Sequence, residues 1–370
     1  MAKEYEFTVD GHPSIYGGGD RDLTIYFCEP EQGVTGETGI LLLIPGFGGN
    51  ASSNVYKKMR RQFADTYNLV TVQCDYFGWE FMQGTTKLRT LINHDDLELL
   101  VPKEAINQVY NNGILDIIEL NKHALKYRLD LKGTAVLEES PANFNDMGIM
   151  QAIDNINAVL ILMAILKDNQ LEFDQSKIII YGQSQGAYLS YLCNAFAPHL
   201  FSHIIDNSAW LFPKYLVDDR IVATSSSKLS MLIKYSYLAK EIIQDREILN
   251  LPLLYSKFKN NCNILAFHGT TDTLVSHLDK KRFINALDNS TYHEISPDKV
   301  DGQIFRSTNH GLDADFLRLF EYVHDSGTLE TSTKKIVELP RQLLKTNLME
   351  YEVDYSMGVP LLRMYERCLK

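Results

Sequence analysis

Three residues of this chain have the types and the order that nucleophilic catalysis needs: Ser184, Asp272 and His310. A serine hydroxyl is a weak nucleophile at neutral pH, so a base must take its proton and an acid must hold that base's tautomer and stabilise its charged form. Ser184 is the centre of Gly182-Gln183-Ser184-Gln185-Gly186, which follows the apolar run Lys177-Ile178-Ile179-Ile180-Tyr181 and leads into Ala187, Leu189, Tyr191 and Leu192. A buried strand followed at once by a helix puts the serine on a sharp bend. Side chains two residues before and after it would collide with neighbouring backbone, and glycine stands at both positions. Asp272 sits in the turn His268-Gly269-Thr270-Thr271-Asp272, just beyond the strand candidate Asn263 to Phe267. His310 lies in Ser307-Thr308-Asn309-His310-Gly311, ahead of a helical stretch through Phe316, Leu317, Leu319 and Phe320. Attack on a carbonyl also creates a negative oxygen that needs donors. The backbone N–H groups of Phe47 and Gln185 are expected to supply them, with Gly48 as a substitute for Phe47.

Other residues compete for these roles. Asp206 also ends a strand candidate and is the alternative acid. His268 reads as a structural hydrogen-bonding residue, and His293 is committed to one face of the strand-like Thr291-Tyr292-His293-Glu294-Ile295. His94-Asp95-Asp96 has no second ligand cluster, so no metal is expected. Gly46-Phe47-Gly48-Gly49-Asn50-Ala51 fits a dinucleotide-binding pattern, with Asp75 ending the next strand as a ribose ligand would. Against that, Pro45 precedes the loop, two strands come before the one it caps, and the Ser, Asp, His set would be left without a role. No cofactor is expected.

These residues must be positioned by a sheet. Tyr5, Phe7 and Val9, then Leu23, Ile25 and Phe27, alternate as strands around the turn Gly17-Gly18-Gly19-Asp20. Ile40 to Ile44 is a central-strand run capped by the 45–50 loop. Val55, Met59 and Phe63 keep helical spacing, and Leu69-Val70-Thr71-Val72 is the next strand. Ile149, Ile153, Ile156, Leu160 and Met163 mark a helix capped by Asn145 or Asp146 and leading into the serine strand. Ser202 to Asp206 and Asn263 to Phe267 complete an alternation that predicts an α/β fold, a mostly parallel sheet with helices on both faces. One domain is expected over 1–370. Two mainly helical cap insertions are expected at 80–145 and 209–261, the second rich in aromatics (Trp210, Phe212, Tyr215, Tyr235, Tyr237, Tyr255). A C-terminal extension spans 325–370, with a strand-like patch at Tyr351 to Tyr355.

Composition narrows the classes. With 36 Lys and Arg against 47 Asp and Glu, the net charge of -11 argues against a nucleic-acid binder. The five cysteines, Cys28, Cys74, Cys193, Cys262 and Cys368, are scattered and never in C-x-x-C spacing, which fits reduced thiols. The N-terminus lacks the basic start and long apolar run of a signal peptide, and the run Ala158 to Leu166 is short of a bilayer span, so a cytoplasmic chain without membrane insertion is expected.

On these motifs and their Ser, Asp, His order, residues 35 to 325 resemble the α/β-hydrolase superfamily. The elbow Gly182 to Tyr188 is similar to those of its prolyl-oligopeptidase-type and esterase branches, although the chain has no room for the propeller of the peptidases. The run Asn145-Asp146-Met147-Gly148-Ile149-Met150-Gln151-Ala152-Ile153-Asp154 resembles a bacterial branch of which some members are associated with flagellin glycosylation. The resemblance implies a serine esterase acting on a small-molecule or glycan acyl ester. An O-acyltransferase, a serine peptidase and a non-catalytic binding protein on the same scaffold are the other readings.

Overall fold

The structure is a computed structural model and describes residues 1–17, 19–92, 94–123, 128–330 and 336–367, so Gly18 and Cys368 lie outside the described residues. The chain opens with strands β1 (Lys3–Asp10), β2 (Asp22–Glu29), β3 (Gly39–Ile44) and β4 (Leu69–Cys74), with the helix Asn54–Tyr67 between the last two. Four short strands follow: β5 (Lys87–Arg89), β6 (Tyr110–Asn111), β7 (Ile114–Asp116) and β8 (Leu129–Ala135). The helix Ile149–Asp168 leads to β9 (Ile178–Gln183), the helix Gln185–Phe196 and β10 (His203–Asn207). Strands β11 (Arg220–Ser225) and β12 (Leu229–Tyr235) precede β13 (Asn263–Gly269), the helix His277–Asn285, β14 (Ser290–Ile295) and the helix Phe316–Asp325. The chain closes with β15 (Gln342–Lys345), β16 (Met349–Asp354) and β17 (Leu361–Glu366).

The main sheet has eight strands in the order β1-β2-β4-β3-β9-β10-β13-β14. Only β1 and β2 run antiparallel to their neighbours; from β4 to β14 every pair is parallel. Every residue of β3, β4 and β10 is buried, as parallel strands covered on both faces must be. Successive residues serve opposite faces. Ile40, Leu42, Ile178 and Ile180 pack with the helices Ile149–Asp168 and Gln185–Phe196, while Leu41, Leu43, Ile179 and Tyr181 pack with Phe63 and Phe320 on the other side. This is the α/β-hydrolase fold. The helix Ile149–Asp168 is long and apolar enough to cross a membrane, but 83% of its apolar window is buried against this core.

The insertions differ from expectation. Neither is mainly helical: strands from both combine in one six-stranded sheet, β11-β12-β8-β5-β7-β6. The segments are short and mixed, and β5 buries one residue, Leu88, between two exposed cations. So few apolar positions carry no clear period, and pairing across a hundred residues (β12 with β8) supplies what local pattern does not. The expected cap at Asn145 or Asp146 also shifts. The helix starts at Ile149 after Gly148, and Asp146 reaches forward to accept from the Gly148 and Met150 N–H groups at 3.1 and 2.6 Å. The C-terminal stretch makes a three-stranded antiparallel sheet docked on the body. Tyr355 donates its hydroxyl to Phe196 O, and the Leu362 N–H donates to His12 Nε2.

Candidate active site

Ser184 lies between the end of β9 and the helix Gln185–Phe196, with φ 52° and ψ -115°. Such a backbone costs of the order of 1–3 kcal/mol and persists because its surroundings enforce it. Its N–H donates to Asn207 O on the neighbouring strand end at 2.8 Å. The flanking glycines are sterically obligatory. A Cβ on Gly182 would lie 2.5 Å from Ala187 backbone atoms, and one on Gly186 would lie 2.1 Å from Ile44 O.

The other two residues are brought over by loops that grip each other. Beyond β13, the Thr271 N–H donates to Thr308 O at 3.0 Å, and the Thr271 and Thr308 hydroxyls lie 2.7 Å apart. Gly269 permits this approach, since a Cβ there would lie 2.1 Å from Thr308 O. The Asn207 side-chain amide in turn donates to Gly311 O, tying the histidine loop to the strand beside the serine.

The result is a continuous chain. Ser184 Oγ lies 2.7 Å from His310 Nε2, and His310 Nδ1 lies 2.7 Å from Asp272 Oδ2. The Asp272 side chain is fully buried, whereas that of His310 is 19% exposed, so the carboxylate is sealed while the imidazole reaches the surface. Oδ1 of Asp272 accepts the N–H groups of Leu274 and Val275 at 2.8 and 3.0 Å. Burial pushes this carboxyl's pKa up, but the hydrogen bond and charge of His310 and the Val275 N–H outweigh it and hold the group below the ordinary value. A carboxylate on Nδ1 therefore keeps that nitrogen protonated and leaves Nε2 free to accept from the serine.

The competing acid is engaged elsewhere. Asp206 accepts from Lys280 Nζ at 2.5 Å, the Tyr191 hydroxyl at 2.6 Å and the Ala209 N–H at 2.7 Å, and both the Asp206 and Lys280 side chains are fully buried. It braces the root of the second insertion. His268 is structural in its hydrogen bonding: Nε2 lies 3.1 Å from Val275 O and 3.3 Å from Asp272 Oδ2. Burial first, then the charge of Lys280, lowers its pKa to about 4 and keeps it neutral. His293 stacks on Phe267 with ring centroids 4.5 Å apart. The side chain of His94 lies outside the described residues.

The loop 45–50 borders the serine. A Cβ on Gly46 would lie 3.4 Å from Ser184 Cβ, and the N–H groups of Phe47 and Gln185 donate to no acceptor among the described residues. Asp75, the ribose ligand of the dinucleotide pattern, accepts from the Tyr26 hydroxyl at 2.8 Å. The structure adds residues that motif reading missed. Gln151 accepts from the Gln185 side chain through Oε1 and donates through Nε2 to Asn145, both at 2.8 Å, so the 145–154 run props the residue after the serine. From the second insertion, Trp210, Tyr215 and Tyr237 pack their rings within 5.5 to 5.9 Å of the Phe47 ring. Tyr255 is not among them and packs with Tyr191 and Phe283.

Among curated proteins no relative matches the chain. Solved structures similar to it include Est1E from Butyrivibrio proteoclasticus with bound ferulic acid (14% identity, 83% of this chain and 94% of that one, TM-score 0.43). A putative hydrolase from Agrobacterium vitis S4 (11%, 88% and 98%, 0.47) and Thermogutta terrifontis esterase 2 phosphonylated by sarin (14%, 86% and 95%, 0.43) are others. Strand order, rather than these likenesses, carries the fold assignment. A model of the prolyl oligopeptidase family matches residues 147–323, the stretch that holds Ser184, Asp272 and His310. A second model, described as protein of unknown function (DUF2920), matches residues 5–224, more than half of the 370, and the chain belongs to that family.

Proposed function

We propose that this protein is a serine hydrolase that cleaves acyl esters through an acyl-enzyme on Ser184. The observation that carries the reading is the unbroken Ser184, His310, Asp272 hydrogen-bond chain at a strained strand-to-helix turn. His310 Nε2 takes the hydroxyl proton as Oγ attacks the ester carbon. The carbonyl oxygen becomes an oxyanion held by the Phe47 and Gln185 N–H groups, and its collapse expels the alcohol, which leaves with the proton from His310. Water then repeats the cycle: His310 takes its proton, hydroxide adds to the acyl carbon, and Ser184 leaves reprotonated. Asp272 keeps the imidazole oriented and offsets its transient charge.

The prolyl-oligopeptidase match over 147–323 favours a second reading, a peptidase. The cap on this chain is a six-stranded sheet of short strands from its own insertions. The rings of Trp210, Tyr215 and Tyr237 gathered on Phe47 suit a compact acyl or sugar ester. A sugar hydroxyl in place of water would make the same site an O-acyltransferase. The link to flagellin glycosylation rests on the 145–154 run, in which Gln151 accepts from the Gln185 side chain and donates to Asn145. A reducing, cytoplasmic setting is part of the proposal, in keeping with the four free, buried cysteines among the described residues.

The test is labelling with a fluorophosphonate, followed by turnover of acetylated sugars, 4-nitrophenyl esters and short peptides. Labelling at Ser184 with ester turnover is expected. Peptide cleavage without ester cleavage would favour the second reading, and an unlabelled, inert, folded protein would remove both.

A further inference from the structure

We propose that Arg220 forms a carboxylate-binding subsite, so that the favoured substrate carries a negative charge a few bonds from its ester carbonyl. This rests on the esterase reading above and names the substrate class for the same site. Arg220 begins β11 and pairs in register with Tyr235 of β12, which sets both side chains on one face of the cap sheet. From there its guanidinium carbon lies 4.6 Å from the centroid of the Phe47 ring and 5.4 Å from that of Tyr235. Phe47 is the residue whose N–H the esterase reading assigns to the oxyanion. Covalent geometry therefore keeps the guanidinium within about 10 Å of that donor.

Two features make this cation available to a ligand. It is half-buried, and the carboxylates around it are taken. Asp219, its chain neighbour, is paired with Lys240 and Lys234; Asp218 is paired with Lys214. Glu139, which influences the adjacent Tyr237, accepts the Asn145 and Leu238 N–H groups, one on each oxygen. Among the described residues Arg220 has no carboxylate partner, although the chain holds 47 acidic side chains. Beside it the Tyr237 hydroxyl is buried, out of strict hydrogen-bond geometry, with the Arg220 guanidinium as its charged neighbour. The guanidinium carbon lies over two rings, with the Tyr237 hydroxyl next to the group, and a planar guanidinium can bind a carboxylate through two parallel N–H···O bonds. A chain with net charge -11 repels anions at long range, so a local cation is required if an anionic ester is to dwell here.

The carboxylate can belong to the acyl group or to the alcohol, and matched esters separate the two. 4-Nitrophenyl hemiglutarate against 4-nitrophenyl valerate tests the acyl side; 4-acetoxybenzoate against phenyl acetate tests the alcohol side. The readout is the anionic-to-neutral ratio of kcat/KM in wild type and in Arg220→Met. A fall in that ratio of about tenfold or more is expected in one pair, and a smaller fall in Arg220→Lys, which keeps the charge and loses the two-pronged fork. Fluorophosphonate labelling of Ser184 run in parallel reports on the esterase reading itself. A labelled, active Arg220→Met enzyme with both ratios unchanged would overturn the subsite and leave the esterase standing. If neither labelling nor turnover occurs in wild type, the esterase reading falls and the subsite with it. Should the Met variant not fold, Arg220→Gln replaces it under the same criterion.

Discussion

At the residue scale the site depends on two buried carboxylates that look alike in sequence and have different neighbours. Asp272 meets His310, and Asp206 meets Lys280. Asp272→Asn should lower kcat by about 10⁴ while the protein stays folded, because the imidazole loses the partner that fixes its tautomer. Asp206→Asn should instead destabilise, by about 3–5 kcal/mol, by leaving the buried Lys280 ammonium uncompensated. Esterase kinetics and urea midpoints on both variants check this; the reverse pattern would exchange the roles. Ser184→Ala and His310→Ala should each remove nearly all turnover, and the double variant should be no worse than either single one, since the groups act as a unit.

At the element scale the turn after β9 is held by contacts from other strands and helices. Gly186→Ala would drive a Cβ into the carbonyls of Ile44 and Pro45, both backbone and unable to yield, so a loss of about 4 kcal/mol or more is expected. Gly84→Ala, where the added carbon meets nothing within 4 Å, is the control in the same thermal melts. Gln151→Leu should slow acylation by about tenfold with little change in KM, because Gln185 would lose the side-chain partner that steadies its N–H. Single-turnover kinetics separate that outcome from a binding defect. The same contact gives the 145–154 run a physical role that its spacing alone, a helix N-terminus, does not disclose.

At the scale of the whole molecule, pH dependence reflects buried groups that pull in opposite senses. Burial lowers His268 to about 4, so between the unfolded value of about 6.5 and that figure the unfolded chain binds the extra proton, and stability falls as pH falls. Burial raises Asp146 and Asp154 to about 6, and the folded chain then binds the extra protons over roughly pH 4 to 6, which offsets the loss. The diagnostic is therefore a comparison. Relative to wild type, His268→Gln should gain stability by up to about 1.4 kcal/mol per pH unit as pH drops from 6.5 toward 4. Chemical melts across that range would show a constant difference if His268 were freely solvated. The C-terminal sheet is fastened at a similar buried point: Asp245 accepts from the Thr346 and Tyr351 hydroxyls at 2.5 and 2.9 Å, joining it to the second insertion.

Sequence by itself determined the main sheet and its serine turn, because their signals are local. Runs such as Ile40 to Ile44 and Ile178 to Ile180 are buried on both faces and read as strands without any partner, and a glycine two residues either side of Ser184 answers a steric need of the turn itself. Asp272 and His310 could be nominated from their places after later strands. Only tertiary structure decided between Asp272 and Asp206, since the choice depends on which cation or imidazole arrives from an element more than thirty residues away. It alone turned the two insertions into one sheet, because strands of two to seven residues gain their stability from pairing rather than from their own pattern. That sheet is what brings Arg220 to Phe47. Contacts across so many residues leave no period in the chain to be read.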